Sequence, residues 1–590
     1  MLLLAGLLAG AGAYAQEVGI PESARPGVTR PEAVEATVAP AQSPSVTTLP
    51  IPPVIDRPFE IDEGDHVAVK EFRLQGAEDM SEYGISLAEI QQILRDLIAR
   101  KPEGFTIGQL VEAANEVTNY YRERQLILSQ AVVPVQNVEN GIVNIQVMPG
   151  ILGRVLTEGN EMYSEKLLVE PFQKLIGKPV TKDAIESALL SLTDFPGLTV
   201  FGVFQPGIQV GTADIVLNVQ DEKRFDMAYR VDNHGVAETG LYRFRPSIEW
   251  NNPTGSADRV SLLLQQAYQP KNNIYYYAGY NRYLGYGINT GIFWDKNLFD
   301  VGGELKDSKI HGVTRNIGGD ISKNWIRSRT FNLYSYMDFT MKDSITTTRG
   351  NPTNRDNLSV LKANVSFDQV DTRFKGINSG AIEYSRGFND LFGAMGGSAD
   401  ADLHRPAGTA PSVEGRTIRI ANPDGSTTLI PQFAEGMFNK INLSFERLQT
   451  VTPDMTLQLR AEYQWTDDLL VPLEQYTVGG PDNLRAYPQG QHLLDRALFG
   501  SVEFIHNVPF ITDKQAFGNR TWGELLQITM FYDFARGRLV RPFSEEDEGN
   551  RIFMGAGVSN RNLSRPGISI LIRLMKRRLI MANRRRYGVN

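Results

Sequence analysis

The chain has 590 residues, 42% of them hydrophobic, and a formal net charge of −8. That balance argues against a nucleic-acid binder built on a general basic surface. There is no cysteine, so disulfides and thiolate-held metals are excluded.

The first residues, "MLLLAGLLAGAGAYAQ", form an apolar run ending in Ala13-Tyr14-Ala15, the small-residue pattern of a cleavage site. Residues 1–15 are therefore read as a signal peptide, although the basic n-region is missing. Residues 16–55 are rich in proline ("GIPESARPGVTRPEA", "APAQSPSVTTLPIPP") and read as a linker, with room for a short plug helix around Glu32 to Val38. No later apolar run is long enough for a transmembrane helix. A barrel stays open, because its strands give only a weak hydropathy signal.

From 56 to 222 the pattern is mixed α/β. "SLAEIQQILRDLIAR" reads as a helix opened by Ser86 with Glu89, with Ile90, Ile93, Leu94 and Leu97 on one face. "FTIGQLVEAANEVTNYYRERQ" repeats the signature with Thr106 and Gln109, and a stripe of Ile107, Leu110, Ala114, Val117 and Tyr121. The strand "GIVNIQVMPG" follows. The order strand, helix, helix, strand, strand then recurs from "ILGRVLTEGN" to "GTADIVLNVQD", giving two units over 56–149 and 150–222.

From 223 to the end the period becomes two. "FDMAYRVDN" puts Phe225, Met227, Tyr229 and Val231 opposite Asp226, Arg230 and Asp232. "LYRFRPSIEW" does the same with Tyr242, Phe244, Ile248 and Trp250 against Arg243, Arg245 and Glu249; "MTLQLRAEYQW" continues the pattern. Such strands fit either a sheet over a core or a barrel with lipid outside and water within. Segment lengths of about ten residues, aromatic ends and connections that alternate short ("NNPTGSADR", "RSRT") and long (Asn389 to Pro431) favour the barrel. About sixteen antiparallel strands are expected, and closure would leave no free edge.

This order of parts resembles the TpsB transporters of two-partner secretion, the haemolysin and filamentous-haemagglutinin secretion proteins, whose small repeats are POTRA domains. "LTDFPGLTVFGVFQPGIQVGTADIVLNV" is similar to the second POTRA domain of that family, and "VDNHGVAETGLYR" to its first barrel hairpin. "NYYRERQLILSQAVVPVQNVENGIVNIQVMPG" resembles the first POTRA domain, with Gln125 where a glycine is usual. The fold expected is thus α+β POTRA repeats followed by an all-β transmembrane barrel.

In that family a V-R-G-Y/F motif at the tip of the sixth surface loop folds into the lumen and meets an F-x-D-x-G motif on strand thirteen. Here Leu484, Arg485, Ala486 and Tyr487 ("LRAY") stand between the eleventh and twelfth expected strands, and Phe531, Asp533 and Ala535 ("FYDFA") match the partner motif. Each motif has alanine for its glycine, which would matter if a positive φ were needed. A confined guanidinium needs an anion, and a carboxylate can take it as a fork. The plain alternative is that Arg485 and Asp533 are unconnected solvated charges.

The resemblance implies a protein of the bacterial outer membrane with periplasmic POTRA domains, translocating a large unfolded β-rich exoprotein without ATP. The implied partners are a TpsA-like exoprotein, outer-membrane lipid and the barrel-assembly machinery, with no nucleic acid. Candidate substrate contacts are Val143, Ile145 and Val147, read as a POTRA sheet edge open to β-augmentation. A passive pore and an assembly or insertion factor are the competing readings. The six histidines show no metal spacing, "GAMGGSAD" lacks the Lys-Ser/Thr of a phosphate cradle, and no G-x-S-x-G elbow occurs. Neither cofactor, metal nor catalysis is expected.

Overall fold

The computed structural model describes residues 66–397, 416–421, 427–432, 434–507, 512–516, 521–522, 526–540 and 551–562, some of the later strand residues by backbone only. The expected signal peptide, the expected linker and plug helix, and the C-terminal stretch after 562 lie outside the described residues.

The first unit runs β1 (Glu71–Gln75), α1 (Leu87–Arg100), α2 (Ile107–Glu123), β2 (Gln130–Val132) and β3 (Ile142–Met148). Its sheet order is β1-β3-β2, with β1 parallel and β2 antiparallel to β3. Alternation of apolar residues on β3 turns Val143, Ile145 and Val147 towards the helices, where Ile90, Leu94, Ala114, Val117 and Tyr121 complete the core. Burial pushes the Tyr121 phenol up to about 12. Ile107, the first residue of α2, stays outside this core with 61% exposure.

Helix α2 opens with a capping box: Gln109 N–H donates to Thr106 Oγ1 at 3.3 Å and Thr106 N–H to Gln109 Oε1 at 3.2 Å. The box expected at α1 does not form. Glu89 instead accepts from the Tyr120 hydroxyl at 2.6 Å and Arg124 at 2.9 Å, while Asp79 Oδ1 takes the Leu87 N–H at 2.8 Å. A tertiary clamp on α2 has taken the side chain that the local motif would use. Gln125 adopts φ +69°, the left-handed conformation that a glycine would enter without strain.

The second unit repeats the plan with β4 (Ile151–Glu158), α3 (Glu165–Val169), α4 (Lys182–Thr193), β5 (Leu198–Pro206) and β6 (Thr212–Glu222), in sheet order β4-β6-β5. Gly197 is at φ +70°, and a Cβ there would lie 2.2 Å from the Lys223 carbonyl oxygen, so the Pro196-Gly197 turn admits no side chain.

Three residues after β6 the large sheet begins: β7 (Phe225–Asp232), β8 (Tyr242–Asn251), β9 (Arg259–Tyr268), β10 (Asn273–Gly285), β11 (Ile288–Asp300), β12 (Ile310–Arg327), β13 (Phe331–Thr348), β14 (Asn351–Asp371) and β15 (Gly376–Phe388). A side hairpin, β16 (Arg416–Ala421) with β17 (Thr427–Gln432), precedes β18 (Asn439–Thr452) and β19 (Met455–Thr466). A second, β20 (Tyr476–Val478) with β21 (His492–Leu494), precedes β22 (Arg496–Asn507), β23 (Leu526–Arg538) and β24 (Arg551–Asn562). Leaving out the two hairpins, fourteen strands form one antiparallel meander among the described residues, each paired with its neighbours in order. The described residues thus account for fourteen of the expected sixteen.

The two faces of this sheet are inverted relative to a soluble protein. On β11, Ile292 is 65% exposed while Asp295 and Asn297 are fully buried. The register sets Trp294, Ile317 and Met341 side by side on the outer surface. Polar residues such as Asn316, Ser344 and Asp356 point inwards and are buried. An exposed apolar face over a buried polar one is unstable in water and suits a bilayer. No helix among the described residues is long and apolar enough to cross a membrane.

The second α/β unit docks on the short-turn end of the sheet. Ala257 of the β8–β9 turn enters that unit's core, with Tyr283 of β10 packed against it. Glu170 accepts from the Tyr283 hydroxyl at 2.8 Å and the Tyr286 N–H at 3.0 Å. Asp194, at the end of α4, takes two N–H bonds from Arg327 at 2.8 and 3.1 Å. These contacts tie the second α/β unit to the short turns. Asp194→Ala would leave the largely buried Arg327 without its carboxylate, a change that costs about 3–5 kcal/mol at a fully buried pair and less here. Amides of the β12–β13 turn are expected to exchange at least about tenfold faster in hydrogen-exchange mass spectrometry, with the barrel strands unchanged.

Candidate functional site: a loop anchored inside the barrel

Alternation on β22, β23 and β24 sends Ser501, Glu503, Asp533, Phe553 and Gly555 inwards, with Leu498, Phe504, Met530, Tyr532, Ile552 and Met554 on the outside. The register aligns Ser501, Asp533 and Gly555 in one row across the three strands. The β19–β22 connection folds over that row. Its tip is "LRAY", between the eleventh and twelfth strands of the meander, and Asp533 lies on the thirteenth.

Arg485 lies in a fully built cage. Its Nε and backbone N–H donate to Asp533 Oδ2 at 2.9 and 3.0 Å, and Nη2 donates to Asp533 Oδ1 at 2.6 Å. Nη2 also donates to Ser501 Oγ at 2.9 Å, and Nη1 is 2.9 Å from Glu503 Oε1. The guanidinium carbon sits 3.8 Å from the centre of the Phe531 ring. Ser501 completes the network by donating to Asp533 Oδ1 at 2.8 Å. Asp533 is fully buried, so its charge depends on this partner. The arrangement is a fork–fork pair with a second carboxylate and a cation–π face, which only arginine can satisfy at once.

The rest of the tip is held by packing. Leu484, fully buried, joins Val478, Phe499, Ala535 and Phe553 in a small apolar cluster, and Tyr487 meets the Phe553 ring edge-on at 5.8 Å. Neither Ala486 nor Ala535 has positive φ, so alanine brings no backbone strain at either position. The glycine freedom is used at the base of the loop, where Gly479, Gly480 and Gly490 have φ +101°, +118° and +63°. Ala486 rests over Gly555, whose missing side chain makes the space: a Cβ on Gly555 would come 2.6 Å from Ala486 Cβ.

The structure therefore brings Leu484, Arg485, Ala486 and Tyr487 together with Phe531, Asp533 and Ala535. Glu503, Ser501 and Gly555 are additional members. The alternation of "FGSVEFIHN" carried the signal for the first two, since Ser501 and Glu503 share a phase opposite Phe504. The third candidate group does not stand as expected. Val143, Ile145 and Val147 belong to the central strand β3, with β1 and β2 on either side, and are 0%, 0% and 2% exposed. They are core residues under the two helices, and the parallel addition of β1 occupies the edge that the local sequence left open. Among the described residues no cluster of His, Asp and Glu could hold a metal.

Residues 67–150 match the family model described as "POTRA domain, ShlB-type". Residues 211–499 match "Haemolysin secretion/activation protein ShlB/FhaC/HecB". The Heme/hemopexin transporter protein HuxB of Haemophilus influenzae (strain 86-028NP) is 22% identical over 457 residues, 77% of this chain and 73% of HuxB. Among solved structures, CdiB from Escherichia coli aligns with TM-score 0.59 at 16% identity, covering 86% of this chain and 87% of that one. CdiB from Acinetobacter baumannii gives 0.54 at 18% identity, covering 90% and 89%. The fold is thus that of an outer-membrane transporter whose barrel carries POTRA domains in the periplasm. Within that class, the chain belongs to the ShlB/FhaC/HecB family, the TpsB transporters of two-partner secretion.

Filling the space under Ala486 tests how the loop is seated. Gly555→Val overpacks the contact by about 1–3 kcal/mol, enough to shift a seated/unseated equilibrium roughly 5–150-fold. Purified Gly555→Val protein in planar bilayers is expected to spend correspondingly more time in conducting states than the parent, while Ala486→Gly stays close to the parent.

Proposed function

We propose that the "LRAY" loop is the gate of a polypeptide-translocating pore, and that its Arg485–Asp533–Glu503 cluster is the switch that keeps the tip seated on the lumen wall. The observation that carries this reading is the burial of Asp533 under a guanidinium supplied wholly by the loop. A loop held only by packing would not need a charge on the wall, and the wall charge is costly once the loop leaves. The seated and unseated states are therefore discrete, as a gate requires.

The cargo is a large β-rich exoprotein that arrives unfolded. Chain capture belongs to a sheet edge, where main-chain hydrogen bonds give affinity whatever the sequence. With Val143, Ile145 and Val147 inside the first sheet, the longer candidate is β5, which borders the second sheet and pairs with β6 alone among its strands. The lumen wall near the first strands has mixed charge. Arg243 donates to Asp232 at 2.7 Å, and Arg259 lies 3.5 Å from Glu249. Such a surface can exchange partners with a passing backbone. Folding of the cargo outside would give direction without nucleotide. Insertion of the barrel itself falls to the cell's barrel-assembly machinery, and its apolar outer face to membrane lipid.

Co-expression with a candidate exoprotein, a large secreted β-rich chain from the same organism, provides the test. With the parent transporter, the exoprotein is expected to reach the surface or medium. With Arg485→Lys, which keeps the charge but loses the fork, export should fall several-fold, and with Arg485→Ala further. Exoprotein that reaches the surface equally well without the transporter, or loss of other outer-membrane proteins in its place, would contradict the reading.

A further inference from the structure

Inward-facing positions of the meander are mostly polar, but β14 breaks the rule. Leu358 and Val360 point into the lumen and are 2% and 0% exposed. What covers them is the first part of the same β19–β22 connection, before the "LRAY" tip. Leu469, Leu470 and Val471 pack there, together with Phe438 at the entry to β18. Three residues further on, Glu474 is 1% exposed and lies between two lysines of the wall. Lys342 Nζ on β13 is 2.7 Å from its Oε1, and Lys440 Nζ on β18 is 2.9 Å from its Oε2. Lys440 also donates to the Glu474 carbonyl at 3.0 Å, and Lys362 on β14 adds its charge to the same site. Gln464 holds that carbonyl from β19 at 3.3 Å.

The polarity is opposite to that of the first anchor. At the tip, the loop supplies the cation and β22–β23 the acids. Here the loop supplies the acid and β13, β14 and β18 the cations. One connection is thus tied to two separate parts of the wall, eleven residues apart in sequence, by two independent ion clusters. Three lysines gathered in a buried space repel one another unless an anion lies among them. An aliphatic patch in a water-facing lumen likewise needs a cover. Wall and loop are complementary in both respects.

We propose that Leu469 to Glu474 is a second anchor of the gate, and that its seat, once vacated, is a subsite for an acidic, aliphatic stretch of the translocating chain. The segment "LLVPLE" occupies the seat in the closed state as an internal stand-in for cargo. Passage through the lumen then involves competition: a cargo segment with a carboxylate next to aliphatic side chains replaces the loop on Lys342, Lys362 and Lys440, and holds the gate open while it is bound. This rests on the reading of the β19–β22 connection as the gate.

The test uses the full chain in planar bilayers, at matched amounts of heat-modifiable, folded barrel. Glu474→Gln, Lys440→Glu, and the exchange Glu474→Lys with Lys440→Glu are compared with Asp533→Asn. Each single change at the second anchor is expected to raise the open fraction roughly 5–150-fold, and the exchange to bring it back towards the parent. A peptide carrying residues 468–475 should raise the open fraction of the parent, whereas the same peptide with lysine at the Glu474 position should not. If Asp533→Asn opens the pore but Glu474→Gln leaves it closed, the second anchor is refuted and the tip anchor stands. If neither opens it, the gate reading falls as well. Recovery in the exchange is partial, because Lys342 and Lys362 also face the new lysine; equal effects of the two peptides refute the subsite.

Discussion

A fully buried carboxylate on a barrel wall has to be compensated from within the barrel, since lipid outside offers nothing polar. Asp533 meets this need with a side chain that belongs to no strand of the meander: Arg485, forty-eight positions earlier, reaching down from a surface connection. Much of the local architecture serves that contact. Ser501 and Glu503 stand on the adjacent strand to share the guanidinium, Phe531 lies against its face, and Gly555 leaves space for Ala486. The inverted faces of the sheet make the contact strong, because the outer apolar surface excludes the barrel wall from water while the inner surface concentrates charge. They also make it reversible in a discrete way, since loop and wall each carry a charge that is comfortable only when paired.

The periplasmic half follows ordinary soluble rules. Two small α/β units bury apolar strand faces under amphipathic helices, and the second is joined to the barrel's short turns through Asp194, Glu170 and the intrusion of Ala257 into its core. A chain captured on the edge of such a sheet would be delivered next to the lumen entrance. On the proposed reading the two halves would handle polypeptide differently: backbone pairing on the soluble side, and exchangeable charge in the lumen.

How much of this could be read from residues alone depends on the range of the interaction. Period-two alternation is local, so the strands and their inner and outer faces were legible, whereas Arg485 and Asp533 were singled out by the resemblance to the motifs of the TpsB family. Thr106 and Gln109 formed the box their spacing announced; Ser86 and Glu89 did not, because Tyr120 and Arg124 on the next helix compete for the glutamate. Val143, Ile145 and Val147 were misread as an edge because the strand that covers them begins some seventy residues earlier and joins in parallel. Glu474 gave no sign, its partner Lys342 being 132 positions away on a strand whose own pattern looks unremarkable. The alanines at 486 and 535 looked disruptive but are not, since the positive-φ positions of the loop lie at its glycine-rich base.

The central claim is that a charge pair between the loop and the wall controls passage through the lumen. Its most direct test is a charge-exchange cycle in cells, with Arg485→Asp, Asp533→Arg and the double variant scored for export of a co-expressed candidate exoprotein at equal barrel levels. Each single reversal puts like charges together in a buried site and should reduce export by more than about tenfold. The double variant should recover part of it, limited by the unchanged Glu503, which would then lie close to the new aspartate. Export at the parent level in both single variants would contradict the account, because the charge pair between loop and wall would then play no part in the cycle of seating and release that the gate requires.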